Sequence, residues 1–292
     1  MRMQTLGAGL VAPSQSALTP FVLCRPRTVA EVLVELERHP GAVIAAGCSD
    51  LVARFREDCA PEVLISLRQV AELRASSHAD GVLRIGSLLT HDEGPSDRVV
   101  SHALPALASA WGKIATVRIR FRGTLGGNLM ARQFRYELPV ILDSLDAGMV
   151  LADSHGERTL PVRSLWENAA PFGLLTRAEI DTDSLIWFGY ERSMRPLNTV
   201  ALTIRRGAAD ELVVTAVCGS EYRRPYRLVH AARDAAVHNL DQTAVSTHLA
   251  QQLPDDAGDY NGSVGYRRQL VTVIATRLLT EFKKAREMRS AQ

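Results

Sequence analysis

The stretch that most constrains this chain is Arg118-Ile-Arg-Phe-Arg-Gly-Thr-Leu-Gly-Gly-Asn128. Three arginines alternate with apolar residues, and a Gly-Thr-x-Gly-Gly-Asn turn follows. Gly123, Gly126 and Gly127 are free to take positive φ and let another group approach the backbone. Successive free N–H groups in such a turn form a concave anion site. Thr124 adds a hydroxyl, and Asn128 can tie the loop to itself or bind a ligand. A tight turn before a helix accounts for the same residues, because glycine-rich motifs often match by chance.

A second stretch shares the pattern. Val43-Ile-Ala-Ala-Gly-Cys-Ser-Asp-Leu51 is an apolar, strand-like run that breaks at Gly47 into small and polar residues. Two small-residue loops, each after an apolar segment, suit a pyrophosphate held between them.

On these residues the chain resembles the FAD-binding subunit, or domain, of molybdenum hydroxylases. Xanthine dehydrogenases and the medium subunit of carbon monoxide dehydrogenases belong to that family. Its early Ala-Gly-Gly-Thr-Asp-Leu loop (or a Gln-Ser variant) is similar to Ala46-Gly-Cys-Ser-Asp-Leu51. Its later Arg-x-Arg-Gly-Thr-Ile-Gly-Gly-Asn loop is similar to Arg120–Asn128. The resemblance runs from about Pro20 to Phe282. It takes in Pro61–Leu67, Leu83–His91, Glu137-Leu-Pro-Val140, Leu145-Asp-Ala147 and Gly262-Ser-x-x-Tyr-Arg-Arg268, in shared order.

The resemblance implies an α+β fold: a two-subdomain FAD-binding region with the cofactor between the subdomains, plus a C-terminal antiparallel sheet-and-helix domain. The expected divisions are a loose N-terminus at 1–19, a small αβ subdomain at 20–70, a second subdomain at 71–178 and a C-terminal α+β domain at 179–292. It also implies FAD contacts at Ala46, Gly47, Cys48, Ser49, Asp50, Leu51, Thr124, Leu125, Gly126, Gly127, Asn128 and Glu137. The amides of Gly47, Ser49 and Asp50 would meet one phosphate, and those of Thr124, Gly126 and Gly127 the other. Asp50 would not offer its carboxylate to phosphate, since like charges repel, and a structural bond is expected instead. Glu137 stands where the family commonly has Asp and would accept from a ribose hydroxyl or a loop N–H.

No catalytic dyad or metal site is implied on this chain, because in this family the flavin does the redox chemistry. Electrons from a molybdopterin large subunit would pass through 2Fe-2S clusters on a small subunit to FAD, then to an acceptor such as NAD, a quinone or oxygen. Two other readings stay open: a free-standing FAD oxidoreductase with its own small substrate, and a relative that has lost FAD and serves in assembly.

Three departures from the family pattern bear on the choice. Cys48 replaces the second glycine of the first loop; if that position needs positive φ, a side chain there costs about 1–2 kcal/mol. Ala131-Arg-Gln-Phe-Arg-Tyr136 replaces a run of small residues, and its aromatics and arginines can stack on the cofactor, meet a partner or block the pocket. The segment 189–196 lacks a Lys-rich pattern, which Arg192 or Arg195 could replace.

The bulk numbers agree with a soluble assembly of subdomains. The chain has 292 residues, 46% hydrophobic and 23% charged, with a formal net charge of +2. A chain this long suits two or three subdomains. Its charge implies neither nucleic acid nor membrane, and the arginines of 223–227 read as ion pairs or a solvated face. Cysteines occur at 24, 48, 59 and 218, with no C-x-x-C spacing. That excludes an iron–sulfur motif and fits reduced, cytoplasmic thiols. No run approaches the ~20 apolar residues of a membrane span.

Local patterns place the remaining elements. Thr28-Val-Ala-Glu31 and Thr90-His-Asp-Glu93 read as capping boxes. Helices are expected from 28 to about 39, at 104–114, about 137–145, 163–170, about 228–239, 243–252 and 264–287. The last carries a stripe of Tyr266, Leu270, Val273, Ile274, Arg277, Leu278 and Phe282. Strands are expected at 43–46, 63–67, 82–87, 148–153, 158–162, 184–190, 199–206 and 211–218, with turns at 76–81 and 207–210. His91, beside a helix start, reads as structural.

Overall fold

A computed structural model describes residues 20–55, 61–167, 173–193, 197–207, 211–233 and 241–290. The expectations for residues 1–19, Cys59, 168–170, Arg195, 208–210 and 234–239 lie outside them.

The first subdomain is a small αβ unit. It runs β1 (Val22–Cys24), α1 (Val29–Arg38), β2 (Val43–Ala45), α2 (Leu51–Phe55) and β3 (Val63–Ser66). The strands form a parallel sheet in the order β1-β3-β2. Thr28 caps α1 by accepting from the Glu31 amide at 3.2 Å. The Glu31 carboxylate returns to the amide of Arg27, one residue earlier than a capping box requires. Val32 on α1 packs with Ile65, Leu67, Val70 and Leu73.

The second subdomain holds an antiparallel sheet of β4 (Ser76–Ala79), β5 (Val82–Gly86), β6 (Gly148–Asp153), β7 (Gly156–Pro161) and β8 (Leu174–Asp181), in the order β4-β5-β8-β6-β7. Residues 76–79, expected as a turn, are a strand. The turn itself is only Asp80-Gly81, with φ of 52° and 69°, which matches the right-handed twist of a two-residue hairpin. Strand β8 straddles the expected division at 178/179 and pairs with both β5 and β6. The second subdomain therefore runs through Asp181.

Among the described residues, seven short helices lie between β5 and β8: α3 (Glu93–Ser96), α4 (Arg98–Ala103), α5 (Pro105–Gly112), α6 (Val117–Arg120), α7 (Leu125–Met130), α8 (Glu137–Ser144) and α9 (Ser164–Glu167). Thr90 and Glu93 form a complete capping box, each side chain accepting from the other's amide at 3.0–3.1 Å. Pro139 sits in the first turn of α8, where its missing N–H costs nothing.

The C-terminal part is a four-stranded antiparallel sheet, β9 (Leu185–Arg192), β10 (Thr199–Arg206), β11 (Glu211–Gly219) and β12 (Tyr226–Arg233), in the order β12-β11-β10-β9. α10 (Gln242–Gln251) and α11 (Val264–Ser290) cover it. The helix expected from 228 is strand β12 up to Arg233. Tyr226 and Leu228 face the core while Arg227 and Val229 do not, the alternation of a pleated strand. The buried stripe of α11 is Arg267, Val271, Ile274, Ala275, Leu278, Leu279 and Phe282, and Tyr266 is 48% exposed. Arg267 turns the stripe: its guanidinium meets Asp259 at 2.6 Å and the Glu221 carbonyl at 2.6 Å, and lies 4.1 Å above the Tyr222 ring. Arg277 faces outward to Glu191.

One core joins the last two parts. Leu138, Val140, Ile141 and Leu142 of α8 are fully buried and share one core with Tyr190, Ala201 and Val217 of the third sheet. Arg227 pairs with Asp146 at 2.6 Å across the same junction. Among the described residues no helix is long and apolar enough to cross a membrane.

Candidate functional site

A cleft of about 980 Å³ lies between the first two subdomains, with both glycine-containing loops on its walls. The first loop leaves β2 and enters α2. Ala46, Gly47, Cys48, Ser49, Asp50 and Leu51 all line the cleft. A Cβ on Gly47 would lie 1.6 Å from the Arg122 carbonyl oxygen. Arg122 in turn donates from Nε to the Gly47 carbonyl at 3.1 Å. Glycine is required at position 47 by contact with the other loop.

Cys48 has φ 60°. The family's glycine at this place meets a left-handed backbone, and a side chain here carries the cost of about 1–2 kcal/mol. Its thiol lies 3.5 Å from the Ala46 carbonyl oxygen, and burial pushes its pKa up. Among the described groups none accepts from the amides of Gly47, Cys48, Ser49 or Asp50. The Asp50 carboxylate is turned away, to Arg54 at 3.2 Å and the Tyr136 hydroxyl at 3.4 Å.

In the second loop, residues 117–120 make a helical turn. Arg120 folds back onto the carbonyls of Gly112 (2.6 Å), Ile114 (3.1 Å) and Trp111 (3.3 Å), tying off the end of α5. None of Gly123, Gly126 and Gly127 has positive φ. They are needed for space: a Cβ on Gly123 would sit 2.8 Å from the His91 ring, and one on Gly126 would sit 2.9 Å from Ser87 Cβ.

Thr124 is the N-cap of α7, accepting from the Gly127 amide at 3.0 Å. The Gly126 amide donates to the Ser87 carbonyl at 2.8 Å, and the Leu125 amide to Leu89. The amides of Gly126 and Gly127 are thus committed to the protein, which corrects their expected roles as phosphate donors. The Leu125 side chain is buried in the core and does not line the cleft. Thr124, Gly126, Gly127 and Asn128 do.

Glu137 also reaches the cleft, but its carboxylate is taken. It accepts a close bond from the Tyr190 hydroxyl and pairs with Arg192 at 3.0 and 3.1 Å. Burial first, then the Glu137 charge, pushes the Tyr190 pKa up. Glu137 is a strut between α8 and β9, so neither it nor Arg192 stands open as expected.

The arginine-rich segment forms wall, not plug. Arg132 has φ 51° and donates from Nε to the Leu165 carbonyl at 2.8 Å. Arg135 is 3.7 Å from Glu221, and Tyr136 reaches Asp50. The cleft keeps its volume with Arg132, Arg135 and Tyr136 along one side. Phe134 is 40% exposed.

His91 is buried, and Nδ1 accepts from the Trp111 indole N–H at 2.9 Å. Burial, then Arg120, lowers its pKa to about 4. The neutral ring therefore carries its proton on Nε2, 3.3 Å from the Asn128 side-chain amide. That N–H calls for the amide oxygen, and Asn128 Oδ1 is otherwise a buried acceptor with no partner. Ser87 Oγ is a second buried polar atom without a partner in the cleft wall. Tyr190, Ser87 and the Tyr136–Asp50 contact were not legible as site features, and only the position of Ser87 at the end of β5 hinted at its place.

These features fit a diphosphate-linked dinucleotide. Open amides at 47–50, glycine backbone on the facing wall and unpartnered Ser87 supply the donors and the close approach that such a group needs. The volume is at the upper end of ordinary ligand clefts.

Comparison with known proteins agrees. The profile of the FAD binding domain in molybdopterin dehydrogenase matches residues 19–180, more than half of the chain. The chain is 29% identical over 160 residues to the caffeine dehydrogenase subunit beta of Pseudomonas sp. (strain CBB1), covering 53% of this chain and 54% of that one. It thus spans about half the length of that relative. It is 32% identical over 254 residues to the nicotine 6-hydroxylase medium subunit of Paenarthrobacter nicotinovorans, covering 82% and 88%. A chain of quinoline 2-oxidoreductase from Pseudomonas putida 86 shares the fold, with a TM-score of 0.75 at 23% identity over 92% of this chain and 99% of that one. The protein belongs to the family of FAD-binding domains of molybdopterin dehydrogenases, and its cofactor is FAD.

Proposed function

We propose that this chain is the flavoprotein subunit of a molybdenum hydroxylase, an oxidoreductase that relays electrons from the 2Fe-2S clusters of a small subunit to an external acceptor. A molybdopterin large subunit would be the third partner. The observation that carries this reading is the cleft between two interlocked loops in a chain of this family. Bound FAD supplies the step between one-electron clusters and a two-electron acceptor.

The residues divide the work. The open amides of Gly47, Cys48, Ser49 and Asp50 receive one phosphate. The Thr124 amide has no described acceptor, and its hydroxyl hydrogen is free while the oxygen caps α7; both serve the other phosphate. Gly127, exposed at the start of α7, leaves the space that approach needs. Asp50 is held off the phosphates by Arg54 and Tyr136, which keeps a like charge away. Glu137 fixes α8 to β9.

The test is co-expression with a molybdopterin subunit and a 2Fe-2S subunit. A yellow complex whose acid extract contains FAD, and whose flavin is reduced through the clusters, supports the reading. A yellow chain that stays alone and turns over its own substrate refutes it in favour of a free-standing oxidoreductase. A colourless chain with no response to FAD refutes both.

A further inference from the structure

Away from the cleft, three metal-ligating side chains converge on one edge of the first subdomain. Cys24 is the last residue of β1, and Glu35 and His39 lie one turn apart at the end of α1. Their Sγ, carboxylate and imidazole atoms all lie within 4.8 Å of one another. Glu35 Oε2 is 3.6 Å from His39 Nε2. None of the three lines the FAD cleft.

We propose that Cys24, Glu35 and His39 bind a divalent metal ion of the zinc class. One thiolate, one imidazole and one carboxylate oxygen is a donor set that zinc accepts and that magnesium or calcium does not favour. Tetrahedral ligands at zinc bond lengths are about 3.3–3.8 Å apart, so Glu35 and His39 already meet the requirement, with Cys24 Sγ inside 4.8 Å of both.

The main chain holds the donors in place. Cys24 pairs with Ile65 in the parallel sheet, and the His39 amide donates to the Glu35 carbonyl at 3.0 Å, closing the last turn of α1. Glu35 and His39, four residues apart, share a helical face. Arg38 competes for Glu35, but only for Oε1, at 2.7 Å, and from an exposed position where a pair is worth little. Three protein ligands leave a fourth position for water, so the ion would clamp β1 to the end of α1 and remain exchangeable.

The probe is Co2+, whose tetrahedral d–d bands lie to the red of flavin absorption. The full FAD-loaded chain is stripped with chelator under reducing conditions, titrated with Co2+, then challenged with Zn2+. One tetrahedral Co2+ per chain with a thiolate-to-metal charge-transfer band, displaced by Zn2+, is expected. Cys24→Ser should abolish the charge-transfer band, and His39→Gln and Glu35→Gln should each weaken binding by more than about tenfold. Cys48→Ser should leave the cobalt spectrum unchanged. Flavin absorbance and melting temperature check that each variant is folded. An octahedral spectrum without the charge-transfer band, or a band that survives Cys24→Ser, overturns the proposal. FAD content is read separately in the same samples, so loss of FAD with an intact cobalt spectrum bears on the cofactor reading alone.

Discussion

Cys48 offers a test in which most contributions cancel. Its φ of 60° lies in the left-handed region, where a Cβ crowds the following carbonyl at a cost of about 1–2 kcal/mol. Cys48→Gly removes that cost and the thiol together, while Cys48→Ala removes the thiol and keeps the Cβ. Both lose the contact of Sγ with the Ala46 carbonyl and the packing of the thiol against the cluster of Ala45, Phe55 and Leu64, so neither loss enters the comparison between them. Glycine returns about 0.4–1 kcal/mol through the greater freedom of its unfolded chain. Glycine at 48 should therefore be more stable than alanine by about 0.5–1 kcal/mol. At the sensitivity of a chain this long, that is about 1–4 °C in melting temperature. The assay is a thermal melt of the two apo proteins side by side, repeated with FAD. An alanine variant as stable as the glycine variant, or more so, would refute the assignment of backbone strain to this position.

The other predictions address the walls of the cleft. Gly47→Ala places a methyl against the Arg122 backbone, 1.6 Å from its oxygen; overpacking of this kind costs about 1–3 kcal/mol, and FAD affinity by fluorescence titration should fall more than tenfold, on the order of 1.4 kcal/mol or more. Wild-type affinity would show that the loops need not touch. A Cβ on Gly127 meets only Thr124 Oγ1, at 2.9 Å, so Gly127→Val should leave the apo melt near that of wild type while weakening FAD strongly; unchanged affinity would reduce the loop to a plain turn. Replacing Arg132–Tyr136 with small residues should not raise FAD affinity, since the segment is wall, and a large gain in titration would mean that it blocks the site. For His91, the folded pKa of about 4 lies below the ordinary 6.5, so the unfolded chain takes the proton first. The stability that its neutral ring supports is complete above about pH 6.5 and is lost as pH falls toward 4, on the order of 3 kcal/mol in all. Asp143, buried and pushed up to about 6, regains stability over the same fall. The measurement is therefore the difference in urea unfolding between wild type and His91→Gln, which should shrink with falling pH; a difference that is flat or grows would contradict the buried neutral ring.

The two loops were legible because their composition is dictated locally: small residues after an apolar run leave few other conformations. The reasons for the glycines were not, because their neighbours lie far along the chain. Gly47 faces Arg122, Gly123 faces His91 and Gly126 faces Ser87, and no window of sequence contains such a pair. Glu137 was misread for the same reason, as Tyr190 and Arg192 reach it from a strand more than fifty residues away. Strand β12 draws its alternation from pairing with β11, and its Leu228, Ala231 and Ala232 read equally as helix until that partner is known. The buried face of α11 was displaced because Arg267, a charge, occupies a core position that Asp259, the Glu221 carbonyl and the Tyr222 ring make tenable.

The same long-range contact explains how a cysteine persists where glycine is the easier residue. A strained residue survives when its surroundings over-determine its conformation. Gly47 is fixed from one side by the Arg122 carbonyl and from the other by the Arg122 guanidinium. Leu51 begins α2, and the Val52 amide donates to the Cys48 carbonyl at 3.2 Å. Cys48 thus sits between two anchored neighbours and has no route to a relaxed φ that keeps both. Its strain and the open amides of 47–50 have one origin: the turn that aims those amides away from the protein is the turn that forces the left-handed backbone. Loosening the Gly47–Arg122 contact should relieve the first and scatter the second, so Gly47→Ala and Cys48→Gly, though adjacent, should move FAD affinity in opposite directions.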